Sequence, residues 1–433
     1  MNINLSFTLL FFLGTLQLTA QTDVTENIWK SKLESWKIQP VIGVQLWSTY
    51  TFGTEIYNSE TSQYETVDNR FNTQLHRSRF GITGQPYQNL KFNFTAAIDF
   101  IGKDLYSGTE GGANNGASPT LRLWNAFLQW KISSQHDGLH LTVGYFTPQI
   151  GRENITPALR SGSVEKSWSQ NYMRRHLVGT GPGRAVGINL GGLFLKENIG
   201  VSYSVGIFNP VLGRLSGNST GSAFSTLLTG RVAFHFGDPE FKQYTIGHKI
   251  NYFGKRKGLT LGLAVAQTGE TDLFTENNAY GIDLLFNWSN WNIWGEWTLL
   301  TRAGNVTLEN NTIQKVNVTS NTGFLALGYN IPLKNEKILE PVIMLVQFNG
   351  PLGATEQGYA STLGAFAGQD HSVEASLNLY VNPDLKLSLS YTLRSGDLGD
   401  ADPGATFNNY FFQSGAGAIR RGDWLGAGVV AIF

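Results

Sequence analysis

Apolar and polar residues change places at every second position over many stretches of this chain. Leu139, Leu141, Val143 and Tyr145 alternate with His140, Thr142 and Gly144. Phe92, Phe94, Ala96, Ile98 and Phe100 alternate with Lys91, Asn93, Thr95 and Asp99. The same period runs from Ile199 to Ile207, Leu259 to Val265, Val373 to Val381 and Leu385 to Leu393. Successive side chains leave a strand on opposite sides, so a period of two predicts strands with one apolar and one polar face.

Two architectures bury such faces differently. A soluble sandwich turns the apolar faces inward, whereas a membrane barrel turns them out to lipid and lines water with the polar set. Lys91, Asp99, Glu374 and Lys386 stand mid-strand on polar faces, and small residues favour those faces too. Tyr145, Trp288 and Tyr391 fall near strand ends on apolar faces, where an interfacial aromatic girdle lies. The chain ends Val429-Val430-Ala431-Ile432-Phe433, and a terminal aromatic closing a strand resembles the assembly signal of outer-membrane barrels. Composition agrees: 15% of the 433 residues are charged, against about a quarter in an average soluble domain. Yet past the N-terminus no run reaches the ~18 apolar residues that a membrane helix needs. The expected fold class is all-β, a transmembrane antiparallel β-barrel.

Alternation and turn signals mark seventeen candidate strands. Long connections at 53–69, 102–118, 149–183, 209–226, 302–320, 350–369 and 396–422 are separated by tight turns such as 196–198, 289–290 and 382–384. An odd count cannot bring both termini to one rim. Long and short connections alternate except between 227 and 268, where 243–253 has the weakest alternation, with His248 on the face of Ile250. Removing that segment leaves sixteen strands and makes 238–258 a periplasmic excursion. Eighteen strands is the alternative, if the stretch hides a hairpin.

Met1 to Ala20 has the apolar core, Phe7 to Leu18, and the small terminal residues of a signal peptide. Export to the outer membrane is therefore expected, with 21–39 a short periplasmic segment and 40–433 the barrel. Trp29 and Trp36 are expected at the inner membrane surface. A segment this short is too small for the plug domain of an energised transporter. The chain has no cysteine, which excludes disulfides, thiolate metal sites and a lipid-modified N-terminal Cys. Lys plus Arg equals Asp plus Glu at 32 each, giving no electrostatic reason to expect nucleic acid. Neither a His-Glu-x-x-His nor a Gly-x-Ser-x-Gly pattern occurs, which argues against an enzyme and leaves no cofactor implied. Asp397, Asp400 and Asp402 lack the spacing of a calcium loop, and a solvated turn is the favoured reading.

Several pieces of the chain, in order, carry a family resemblance. They are Leu75-His76-Arg77-Ser78-Arg79-Phe80-Gly81-Ile82-Thr83-Gly84, followed by Lys91-Phe92-Asn93-Phe94 and Ala97-Ile98-Asp99-Phe100. Next come Val143-Gly144-Tyr145-Phe146-Thr147-Pro148, Arg152-Glu153 and Val164-Glu165-Lys166-Ser167. Pro182-Gly183-Arg184-Ala185-Val186-Gly187, Leu228-Thr229-Gly230-Arg231 and Leu377-Asn378-Leu379-Tyr380-Val381-Asn382-Pro383 complete the set. Together they resemble the phosphate-selective porin O and P family. The resemblance implies a sixteen-stranded porin, commonly a homotrimer, with loops folded into the pore. It does not carry the solute, because no complete arginine ladder maps onto this chain.

The longest predicted outside loop, 149–183, gathers Arg152, Glu153, Arg160, Glu165, Lys166, Arg174, Arg175 and His176. A loop that long on a compact scaffold is usually functional or mobile. Folded inward it would narrow the lumen and set its field; folded outward its charges would face lipopolysaccharide. Strand parity places Arg77, Arg79, Arg184, Arg231 and His235 in the lumen, against Asp99, Asp283, Glu296 and Glu374. The pore-lining candidates are thus Arg77, Arg79, Arg152, Arg160, Lys166, Arg174, Arg175, Arg184 and Arg231. The bland reading is that opposite charges pair across the wall to hold the lumen together. The expected function is passive diffusion of small hydrophilic solutes or inorganic anions, with a mild anion preference and outer-membrane lipid around the barrel. The alternative is a non-conducting barrel whose long loops act as a surface receptor or adhesin.

Overall fold

The computed structural model describes residues 31–107, 120–212, 223–308 and 310–433; the expected signal peptide lies outside them. Among these residues sixteen strands form one closed barrel. The first four are β1 Gln39–Phe52, β2 Arg70–Tyr87, β3 Leu90–Ile101 and β4 Arg122–Lys131. Then follow β5 His140–Phe146, β6 Ala185–Lys196, β7 Ile199–Asn209 and β8 Leu227–Gly237. The third quarter is β9 Gly258–Thr268, β10 Glu276–Trp288, β11 Trp291–Thr307 and β12 Ile313–Tyr329. The last is β13 Ile338–Asn349, β14 Gln369–Asn382, β15 Leu385–Asp397 and β16 Asp423–Ile432. Each strand pairs antiparallel with the next, and β16 returns to β1 from Gly43↔Ile432 to Phe52↔Asp423. Closure removes every free edge, which a structure in hydrocarbon requires. No described helix is long and apolar enough to cross a membrane.

The alternation sorts as a lipid-facing barrel demands. On β9, Leu261, Leu263 and Val265 are 42%, 52% and 54% exposed, while Gly262 and Ala264 between them are buried in the lumen. Tyr87, Trp130, Phe194, Trp288 and Trp291 form an exposed aromatic belt near the rim of short turns. Leu263 stands in the middle of its strand, so Leu263→Arg is expected to destabilise the barrel by about 2–4 kcal/mol, the cost of a cation near the bilayer midplane. Urea unfolding in lipid vesicles checks this; an unshifted midpoint would place that face away from lipid.

The sixteen-strand count stands, and residues 243–253 are not a strand. The connection 238–257 nevertheless does more than leave the barrel on the turn side. It folds back into the lumen, with Tyr244, His248, Ile250 and Arg256 all buried. The 302–320 stretch also differs from the expected loop. β11 and β12 keep pairing as far as Thr307↔Ile313, leaving a tight tip. Val306, Val316 and Val318 on this extension are covered by Ala360, Leu363 and Ala365, from α3 Ala354–Thr362 and the residues after it. Beyond the barrel proper, Glu55–Asn58, Gln63–Thr66, Phe412–Gln413 and Gly417–Arg420 make a small sheet over the loop rim.

Candidate functional site

The connection 147–184 between β5 and β6 turns into the lumen. Gly151 makes the turn at φ 66°, and a Cβ there would meet Glu296 Oε2 at 2.8 Å. Two helices follow, α1 Arg152–Ile155 and α2 Ser169–Leu177. One face of α2 buries Tyr172, Met173, His176 and Leu177 against the wall. The Tyr172 ring stacks on Phe348 at 3.9 Å and its hydroxyl donates to Asp370 at 2.8 Å. The 3.6-residue repeat leaves Asn171, Arg174 and Arg175 on the other face, along a cavity of the lumen.

Wall side chains pin the rest of this loop by its carbonyls, which must find donors once buried. Gln45 Nε2 donates to Val164 O at 2.7 Å and Asn378 Nδ2 to Gly162 O at 2.8 Å. Lys386 Nζ reaches the carbonyls of Ser161 and Ser163 at 2.8 and 2.7 Å. Below the loop lies the second inward segment, 238–257. Its Tyr244 hydroxyl accepts from Asn189 at 3.1 Å and lies 2.8 Å from Ser204 Oγ. Gly191 makes room for it, since a Cβ there would fall 1.9 Å from that hydroxyl. Asn251 binds Asn330 and Glu340 at 2.8 and 2.9 Å.

The two segments meet at Arg152. It is fully buried, 2.8 Å from Glu240 Oε1 and 3.0 Å from Asp283 Oδ1, and Arg231 shares Asp283 at 2.8 Å. His248 Nδ1 lies 3.0 Å from Glu240 Oε2. Burial alone would raise the Glu240 carboxyl, but Arg152 and His248 hold it well below the usual carboxylate range.

Other lumen charges are paired as well, whereas Glu296, Glu340 and Glu374 hold hydrogen bonds to neutral groups. Asp99 takes Arg79 and Arg122, Glu165 takes Arg77 at 2.7 Å, and Asp370 takes Arg394 at 2.7 Å. Among the arginines that border the lumen's two main cavities, three are different. Arg174 donates to Asn154 Oδ1 at 2.6 Å, and Arg184 to Asn125 Oδ1 and Pro182 O at 3.1 and 3.0 Å. Neither they nor Arg175 pairs with a carboxylate among the described residues.

These arginines border two cavities. The one nearer the loop rim, about 180 Å³, is lined by Arg77, Arg122, Trp124, Arg174, Arg175 and Arg394, and also by the carboxylates of Asp99, Glu165 and Glu374. The one nearer the turn rim, about 480 Å³, is lined by Arg79, Lys91, Arg160 and Arg184, with no carboxylate among its described lining residues. The cavities share Trp124. The guanidinium carbons of Arg79 and Arg184 lie 3.7 and 3.5 Å from its ring centroid, so close that they must take opposite faces.

The structure thus gathers Arg77, Arg174 and Arg175 around the first cavity and Arg79 and Arg184 around the second. Lys166 lines the first cavity too, with Nζ bonded to Thr156 O at 2.7 Å. Arg160 stands lower, at the turn rim, paired with Asp384. Arg152 and Arg231 sit on the far wall, neutralised, and border neither cavity. Sequence reasoning missed Arg122, Trp124 and Arg394, although Leu121, Leu123 and Leu393 facing outward imply them by the same parity. It also missed the inward role of Glu240 and His248.

Ser202 Oγ lies 3.0 Å from His235 Nε2, but the other ring nitrogen faces Thr260 and the group is buried. This is a structural hydrogen bond, without the orienting carboxylate of a hydrolytic triad. Asp397, Asp400 and Asp402 are exposed, and no group of three metal-ligating side chains occurs among the described residues.

No family model and no curated relative matches the sequence. Among solved structures the barrel is similar to the outer membrane channel DcaP of Acinetobacter baumannii, at 13% identity and a TM-score of 0.51 over 92% of this chain and 97% of that one. It is similar also to an anion-selective porin from Comamonas acidovorans, at 10% identity and a TM-score of 0.50 over 92% of this chain and 99% of that one. The chain has the fold of the outer-membrane porins, a sixteen-stranded barrel narrowed from within by an inward loop.

Proposed function

We propose that this protein is an outer-membrane porin that lets small hydrophilic solutes diffuse passively, with a mild preference for anions. The observation that carries the preference is the set Arg174, Arg175 and Arg184, which border the passage without carboxylate partners among the described residues. A guanidinium keeps its proton in proteins, so these charges draw mobile anions from the bath. Basic rings in a pore favour anions in this way. Small inorganic anions such as chloride and phosphate suit the passage. The resemblance to the phosphate-selective porins makes a homotrimer the proposed assembly. A receptor or adhesin is less well supported, because the longest described connection is spent inside the lumen instead of being displayed outside.

The test is the triple variant Arg174→Gln, Arg175→Gln, Arg184→Gln in planar bilayers across a KCl gradient. One unit charge at about 4 Å in water is worth about 1 kcal/mol, so the chloride-to-potassium permeability ratio should fall by roughly fivefold or more. A ratio unmoved by the triple change would remove the basis for the preference.

A further inference from the structure

The two rims of the barrel carry opposite charge. The loop rim exposes Glu60, Glu65, Asp68, Asp272, Asp400 and Asp402, with more carboxylates between them; its exposed cations among the described residues are Lys315 and Arg420. Arg420 is itself tied to Glu55 at 3.3 Å. At the turn rim lysines prevail. Lys37, Lys196, Lys242, Lys249, Lys255 and Lys257 are exposed there, against Glu34, Glu197, Asp238, Glu336 and Asp384. The mouth on that side, a cavity of about 420 Å³, is lined by Arg160, Lys249, Lys255 and Lys386, with Asp384 the sole carboxylate among its described lining residues. Four of these lysines belong to the inward-folding 238–257 segment, so the segment that narrows the lumen also charges its exit.

We infer that the pore rectifies: it passes more current when the loop side is positive than when it is negative. This inference rests on the channel reading above. An acidic mouth admits cations and repels anions, and a basic mouth does the reverse. With the loop side positive, cations are driven in through the acidic mouth and anions through the basic one. Both accumulate in the lumen and raise its conductance. With the opposite polarity each ion is drawn out through the mouth that admits it, while the mouths refuse replacements, and the lumen is depleted. The effect needs the rim fields to reach across the mouths. It is therefore strong near 0.1 M salt, where the screening length is about 10 Å, and weak at 1 M, where it is about 3 Å.

The experiment is a set of single-channel current–voltage curves of the full-length refolded protein in KCl at low and high concentration. The quadruple variant Lys242→Gln, Lys249→Gln, Lys255→Gln, Lys257→Gln is recorded alongside. The expected result is a current ratio of about two or more between equal voltages of opposite sign at 0.1 M, falling towards one at 1 M. The variant should lose most of that ratio at 0.1 M. Orientation is fixed by a Lys249→Cys protein, in a chain otherwise free of cysteine, labelled from one bath by a polymer-linked maleimide too large to enter the pore. Linear currents at low salt would overturn the inference while leaving the channel reading intact. A ratio that survives 1 M salt or the lysine changes would overturn it too, since shape and not charge would then be the cause. A folded protein that never conducts would overturn the channel reading and the rectification together.

Discussion

Arg152→Ala is expected to destabilise the barrel by about 3–5 kcal/mol, because it strands buried carboxylates that have lost their shared cation. Arg152 is fully buried and its guanidinium reaches Glu240 and Asp283 together. Arg231 still neutralises Asp283 after the change, so the cost falls mainly on Glu240. The second consequence is mechanical. Arg152 opens α1 and ties the inward loop to the 238–257 segment, and its loss frees the start of the loop to move in the lumen. Urea titration in vesicles should show the lower midpoint, and planar bilayers should show larger or noisier openings. Adding Glu240→Ala should recover part of the stability, since the two changes act on one interaction and do not sum. A single variant as stable as the parent would mean that the ion pair is not formed.

Replacing residues 239–256 by a short Gly-Ser turn is expected to leave the barrel closed and to raise its conductance, roughly twofold if the freed half of the lumen fills with water. The pairing of β8 with β9 already runs from Leu227↔Thr268 to Gly237↔Gly258, so no ladder bond is removed. What is removed is the filling, Tyr244 under Gly191 and Ile250 against Leu285 and Trp294, together with Glu240, which leaves Arg152 on Asp283 alone. Larger sugars should then enter liposomes that the parent excludes. Unchanged conductance in a folded variant would show that this half of the lumen never limits flow.

The barrel was legible because lipid imposes one rule on every strand, and that rule has a period of two. Leu259 to Val265 obeys it without exception. The rule stops where lipid stops. Lys315 and Asn317 are exposed on β12 above the membrane band, so their polarity read as loop although the hairpin continues. Inside the lumen the rule fails for another reason. Val342, Met344, Val346 and Phe348 face inward, while Ile343 and Leu345 between them face lipid, so β13 is apolar on both sides. Its inner face packs against Trp168 and Tyr172 of the inward loop, not against water. The 238–257 segment looked like an excursion because its alternation is weak; it alternates weakly because its side chains go to polar wall residues such as Asn189, Ser204 and Glu340 as well as to apolar ones such as Leu285. Parity showed which strand charges point inward. It carried no information about partners 88 residues apart, as Arg152 and Glu240 are.

The central claim is an open, mildly anion-preferring pore, and the zero-current potential of the refolded full-length protein in a KCl gradient tests it most directly. The expected result is stepwise openings whose reversal potential lies on the chloride side of zero. A reversal on the potassium side, or a folded barrel with no openings at all, would contradict it.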